Sequence, residues 1–226
     1  KKIGSGTFGV VFLCKHRKRD ENVVVKKVKD ESYDAKARCF KEAALLSNTK
    51  GHINIVKFLG FCDEPRAIMM EYASFDFWQF GAENSVCTLE DFFHFVNDEF
   101  EFNSFADVMP KCTKDIVTGL QHLHDMHIAR GDLKPGNILV SNQHYSTSKL
   151  TEDELSKAFG ICPIICKLAD FGLSRAIDLQ TKSFFKSKTE SVCRGTEVFM
   201  APEIHLQKLV KASQEEIKST DMWSLG

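Results

Sequence analysis

Ile128-Ala-Arg-Gly-Asp132-Leu-Lys134-Pro-Gly-Asn137-Ile-Leu-Val140 places a carboxylate, an ammonium and a side-chain amide within six residues, in a loop just ahead of an apolar strand. That loop offers a base, a cation and a metal-binding amide together. Working outward, Asp170-Phe171-Gly172 adds a second carboxylate after the apolar run Cys166 to Ala169. Ala201-Pro202-Glu203 follows, and Asp221-Met-Trp223-Ser-Leu-Gly226 closes the chain. Upstream, Gly4-Ser-Gly6-Thr-Phe-Gly9-Val-Val11 carries three glycines whose missing Cβ atoms let backbone approach a polyphosphate. A strand follows it rather than a helix, which argues against a dinucleotide-binding turn. Val23-Val-Val-Lys26 sets a lysine in an apolar strand, and a buried ammonium needs an anion. Glu42, on a helical stretch from Ala37 to Leu46, and a bound phosphate are the two candidates. Taken singly, the glycines also read as a strand turn and the lysine as one snorkelling from an edge strand.

In this order the motifs resemble those of eukaryotic protein kinases, and the resemblance runs from Gly4 to Gly226. It implies an α+β, bilobal protein-kinase-like fold. A small antiparallel sheet lobe with one main helix would occupy residues 1–70, and a hinge residues 71–73. A larger, mainly helical lobe would occupy residues 74–226, its last helices missing.

Residue by residue, the resemblance implies that Ile3, Gly4, Gly6, Phe8, Gly9 and Val11 cover ATP and that Val24 lies over the adenine. Lys26 would hold the α- and β-phosphates, steadied by Glu42. Met70, Glu71, Tyr72 and Ala73 align with the gatekeeper and hinge, and Leu139 with the floor of the pocket. Asn137 and Asp170 would hold Mg²⁺, Asp132 would orient the substrate hydroxyl, and Lys134 would neutralise the transferring phosphate. The implied activity is phosphoryl transfer from ATP to serine or threonine of protein substrates. Lys134, two residues after Asp132, and Gly195-Thr196 carry the serine/threonine assignment. His52-Ile-Asn-Ile-Val56 and Leu168-Ala-Asp-Phe-Gly-Leu-Ser-Arg175 resemble the tyrosine-kinase-like group. The alternatives are a pseudokinase serving as a nucleotide-binding scaffold and a small-molecule kinase of the same fold. Gly195-Thr196 and Ala201-Pro202-Glu203 weigh against the latter.

Composition sets the frame. In 226 residues, 30 Lys+Arg face 31 Asp+Glu, so no global field draws the chain to nucleic acid or an anionic membrane. No apolar run reaches the roughly 20 residues of a membrane span. The eight cysteines lack paired metal-site spacing and read as reduced thiols in a cytoplasmic, intracellular setting. Cys162 and Cys166 read as core residues of a strand end. Short apolar runs (Val10–Leu13, Val23–Val28, Ile55–Phe61, Ala67–Tyr72) read as strands, and Thr88 with Asp91 as a capping box. Val108, Cys112, Ile116, Leu120 and Leu123 line one helix face, with Pro110 in its first turn. His122, His124 and His127 lack the i, i+4 spacing of a helical zinc pair and read as helix-end histidines.

Three departures from the family stand out. Arg130-Gly131 replaces the usual His-Arg ahead of the catalytic aspartate, removing the guanidinium that grips a phosphorylated activation loop. Phosphorylation at Thr181, Ser183, Ser187, Thr189 or Ser191 is therefore not the expected switch. The same change puts a charge beneath Phe171, unless Arg130 turns to solvent or finds an acidic partner. Asp170 lies 38 residues after Asp132, about twice the usual separation, so residues 141–163 hold an insertion. In it Thr151-Glu-Asp-Glu154 predicts a helix of about two turns stopping at Gly160. The insertion reads either as a docking surface for a partner or as a tolerated surface loop. Finally, the chain is expected to stop inside the central helix of the large lobe. That would leave Glu203 without its arginine and the segment poorly stable without the remainder.

Overall fold

The computed structural model describes residues 1–6, 9–30, 32–100, 105–146, 149–176, 196–205 and 214–226. Strands β1 (Lys2–Gly6), β2 (Gly9–His16) and β3 (Glu21–Lys27) form an antiparallel meander. Helix α1 (Tyr33–Asn48) follows, then β4 (Phe58–Cys62) and β5 (Ala67–Glu71), giving one five-stranded sheet of order β1-β2-β3-β5-β4. The β-branched run Val23 to Val25 suits the central strand, where Val23 is buried. Helix α1 begins four residues before the expected Ala37, because the Ser32 side chain accepts from the Ala35 N–H and caps it. Ala35, Cys39, Ala43 and Leu46 bury one face, and Glu42 lies on that same face.

Ile55–Phe61 does not form one strand. The ladder starts at Phe58, while Ile55 makes an isolated bridge to Leu168. Its apolar character serves a seam between sheet and helical part. There Leu168 N–H donates to Asn54 O (2.9 Å), Val56 N–H to Leu168 O (3.0 Å) and Asn54 Nδ2 to Cys166 O (3.0 Å).

Past the sheet, β6 (Phe75–Asp76) and β7 (Ser85–Val86) make a small hairpin. Helix α2 (Leu89–Glu99) is capped by Thr88, and α3 (Met109–Asp125) carries Pro110 in its first turn. All five residues of the expected α3 stripe are buried, each such side chain contributing about 1.5–3 kcal/mol when it leaves water. Then come β8 (Ile128–Ala129), β9 (Ile138–Ser141), α4 (Gln143–Ser146), α5 (Glu152–Ile161), β10 (Ile165–Leu168) and β11 (Arg175–Ala176). Strand β9 pairs with β10 and β8 with β11, both antiparallel, before α6 (Pro202–His205) and α7 (Gln214–Leu225).

Helix α5 starts at the expected capping box: Glu154 accepts from Thr151 N–H at 2.9 Å, and Thr151 Oγ1 from Glu154 N–H. It runs to Ile161, about three turns rather than two, because Cys162 N–H still reaches Ala158 O and Gly160 continues the helix. Cys162 therefore caps α5 and is half-buried, unlike Cys166, which is a core residue of β10 as expected. The segment from Asn142 to α5 packs on the β6–β7 hairpin, which the apolar periodicity did not reveal. Asn142 donates to Asp76 O (2.9 Å) and accepts from Asp76 N–H (2.8 Å), and the Phe80 and Phe159 rings meet edge-on at 5.9 Å. Activation-loop positions 181–191 and Gly195 lie outside the described residues.

Candidate active site

Strand β3 carries Lys26 between Val11 of β2 and Ile68 of β5, so its side chain leaves an otherwise apolar ladder. Its Nζ donates to both oxygens of Glu42 (2.8 and 2.9 Å) and to Asp170 Oδ1 (2.7 Å). The side chains of Lys26 and Glu42 are only 12% and 4% exposed, so each charge depends on the other. Burial works against the ammonium, but the two carboxylates outweigh it and hold Lys26 above its ordinary value. Burial leaves the Glu42 carboxyl above its usual range despite Lys26. For Asp170 burial pushes upward, and the attraction of Lys26 and Arg130 prevails, holding it below.

Asp170 adopts a left-handed backbone (φ 59°) and caps a one-turn helix, Phe171–Leu173. A non-glycine residue in that region carries strain of order 1 kcal/mol, here offset by its side-chain contacts. Below it, the catalytic-loop candidates converge. Asn137 Nδ2 donates to Asp132 O (2.9 Å) and Oδ2 (2.8 Å), which spends both amide hydrogens and leaves the amide oxygen to offer. Asp132 Oδ1 accepts from Thr196 N–H at 3.1 Å, and Lys134 Nζ donates to Thr196 Oγ1 at 2.6 Å. Thr196 thus ties Asp132 and Lys134 together from a segment 64 residues beyond Asp132 in sequence.

Arg130 neither turns to solvent nor ends on a carboxylate. It is 0% exposed, with its guanidinium carbon 4.8 Å from the centroid of the Phe171 ring. Nη1 donates to Ser174 Oγ (3.1 Å) and Nη2 to the Ala169 carbonyl. Burial lowers its pKa while the charges of Asp170, Asp221, Asp132 and Glu42 work to raise it. The Asp221 carboxylate accepts from the backbone N–H groups of Arg130 (2.7 Å) and Gly131 (2.8 Å), pinning the loop's start. Gly131 sits at φ 72°, a conformation that resists any side chain.

One cleft of about 730 Å³ brings together Ile3, Gly4, Val11, Val24, Lys26, Glu42, Met70, Glu71, Tyr72, Ala73, Asn137, Leu139 and Asp170. Gly9 packs elsewhere: a Cβ there would lie 2.6 Å from Lys27 O, so backbone contact with β3 itself demands glycine. Gly6 ends β1 opposite Gly9, and Phe8 lies outside the described residues. Asp132 and Lys134 lie next to the cleft through Asn137 and Thr196 rather than in its lining. The cleft also takes in Val86, Cys87, Asp91, Phe95 and Gly136, which sequence reasoning missed. The Thr88–Asp91 signal located α2, although the structure shows a simple Thr88 cap in place of the expected capping box, and it did not say that the helix's first turns face the cleft.

His122 Nε2 contacts Thr49 O (3.2 Å) and His124 Nε2 contacts Asp221 Oδ2 (2.9 Å), so both rings serve the seam and the loop. Among the described residues no three His, Cys, Asp or Glu side chains are placed to hold a metal ion. A hard divalent ion drawing on one carboxylate, one amide oxygen and phosphate oxygens needs no such cluster, and Asp170 with Asn137 fits that pattern. Among the described residues no helix is long and apolar enough to cross a membrane.

The sequence profile of the protein kinase domain matches residues 1–226. The chain belongs to the protein kinase family. This kinase domain is 27% identical over 237 residues to the serine/threonine-protein kinase BCK1/SLK1/SSP31 of Saccharomyces cerevisiae, covering 99% of the chain and 13% of that protein. It is 28% identical over its whole length to the serine/threonine-protein kinase ATG1a of Arabidopsis thaliana, and covers 29% of it. It is 29% identical to mitogen-activated protein kinase kinase kinase 2 of Arabidopsis thaliana, over 99% of the chain and 29% of that protein. The kinase domain thus spans under a third of the length of each of these relatives.

Proposed function

We propose that this kinase domain binds ATP with magnesium and transfers the γ-phosphoryl group to serine or threonine hydroxyls of protein substrates. The observation that carries the reading is the convergence of Lys26, Glu42 and Asp170, residues 16 and 144 positions apart, on one wall of the cleft. Phosphoryl transfer spreads negative charge over the reacting oxygens, so positioned cations supply most of the catalysis. Lys26, oriented by Glu42, binds α- and β-phosphate oxygens, and Tyr72 and Ala73 offer backbone groups to the adenine. Asp170 and the Asn137 amide oxygen hold magnesium, which neutralises charge on the phosphates when bound. Asp132 accepts the proton of the attacking hydroxyl, and Lys134 steadies the transferring group. The Lys134–Thr196–Asp132 hydrogen bonds favour a serine/threonine acceptor, as does the similarity to two serine/threonine-protein kinases.

Incubation with magnesium ATP and a generic protein substrate, followed by phosphoamino-acid analysis, tests this. Phosphoserine or phosphothreonine is expected, and Asp132→Asn should abolish transfer while leaving nucleotide binding intact. Phosphotyrosine would overturn the acceptor assignment. Nucleotide binding without any transfer would favour the scaffold alternative.

A further inference from the structure

The Arg130 side chain has no role in the chemistry above, yet among the described residues it is the largest side chain that is completely buried. Burying a guanidinium is costly unless its charge and hydrogen bonds are matched. Here its terminal nitrogens end on a hydroxyl and a carbonyl, and its Nε has no hydrogen-bond partner among the described residues. An apolar side chain of similar size would fill the site at lower cost, so global stability is not what the arginine provides.

Its contacts show what it does provide. Ala169 and Ser174 flank the Asp170–Leu173 turn, and Arg130 bonds to both while its guanidinium lies against the Phe171 ring between them. Ser174 Oγ donates back to Arg130 O at 3.2 Å, closing the arrangement. Asp221 fixes the Arg130 backbone, so the side chain is anchored at its root. Phe171 is itself 1% exposed, and the turn that carries it cannot swing away from the catalytic loop without breaking both hydrogen bonds and leaving a buried cation unmatched. A fork-shaped, planar, always-charged group is needed to reach two acceptors and a ring at once.

We propose that Arg130 is a positioning residue, a buried bolt that locks the Asp170-Phe171-Gly172 turn against the catalytic loop and so holds Asp170 at Lys26. Its catalytic consequence rests on the function proposed above, whereas the locking itself does not.

Amide hydrogen exchange on the nucleotide-free protein tests the bolt without any activity measurement. In Arg130→Met, exchange across residues 169–174 should rise about tenfold or more, while α3 and β9 keep wild-type protection and the melting temperature is unchanged or higher. Arg130→Lys should fall between, and Arg130→His, which can reach one acceptor, should resemble Met. Should Arg130→Met fail to fold, Ser174→Ala decides the matter, since it removes one bond and leaves the charge; faster exchange confined to the turn is again expected. Unchanged exchange at 169–174, or a uniform rise through the helical part, overturns the proposal. Phosphate transfer is measured in parallel. Local loosening in a protein whose wild type transfers nothing would keep the bolt and discard the kinase reaction. Full activity in a loosened variant would discard the bolt's catalytic consequence.

Discussion

Gly119 in α3 offers a test in which two effects of known size oppose each other. Glycine inside a helix costs about 0.8–1.0 kcal/mol relative to alanine, so propensity alone says Gly119→Ala stabilises. A Cβ there would stand 2.9 Å from Asn54 O, closer than real Cβ atoms approach, and 3.0 Å from Leu168 Cδ1, a tight contact that the leucine must relieve. The Asn54 oxygen, a backbone atom, cannot yield alone. Asn54 O is already accepting the Leu168 N–H, and Asn54 Nδ2 is donating to Cys166 O, so the whole seam between 53–56 and β10 would have to open. Overpacking of this kind costs about 1–3 kcal/mol. The net is a loss of about 1 kcal/mol, which in a domain of this size lowers the melting temperature by about 2–4 °C. Thermal unfolding followed by circular dichroism would measure it, with Gly160→Ala in exposed α5 as control. Nothing lies within 4 Å of a Cβ at Gly160, so there the same change should leave the melting temperature equal or higher. A higher melting temperature for Gly119→Ala would refute the packing argument.

Lys26→Met strands the Glu42 carboxylate in the interior and should cost about 3–5 kcal/mol in urea unfolding. Lys26→Met/Glu42→Leu should recover most of that loss, while phosphate transfer stays at least about 100-fold down in both variants. Thr196→Ala removes a hydrogen bond to a charged donor and should lower kcat by about 10- to 100-fold. Thr196→Ser should keep most activity, and equal rates for all three proteins would speak against the Lys134–Thr196–Asp132 link. His52 stacks on His122 at 4.5 Å, and burial, then the repulsion of His122 and Lys167, hold its imidazole below the usual value of 6.5. The unfolded chain therefore takes up this proton first on acidification. The stability His52 confers is present above pH 6.5 and is lost as pH falls through the folded value. Between about pH 7.5 and pH 5 the melting temperature should drop further in the wild type than in His52→Gln.

The parts of this kinase domain that were legible in the sequence are those that local chemistry dictates. A lysine in an apolar strand demands an anion, and Glu42 on the next helix supplies it. The α3 stripe and the Thr151 capping box are periodic or short-range signals, and both formed where expected. The family resemblance assigned Lys26 and Asp170 to the same nucleotide site, but their direct contact spans 144 residues and only the folded chain shows it. The β6–β7 hairpin escaped notice because its strands are two residues long and are held by Asn142, far along the chain, rather than by any alternation of their own.

Arg130 marks the boundary most clearly. Its identity alone left three fates open: exposure, an acidic partner, or a charge beneath Phe171. The choice went to neutral acceptors at Ala169 and Ser174, 39 and 44 residues onward, with the ring of Phe171 lying against it. Sequence determines which groups must find partners, because residue type sets charge and hydrogen-bonding capacity. Tertiary structure alone decides which partners they find, because only the folded chain sets the distances and the water exclusion that give those contacts their energy.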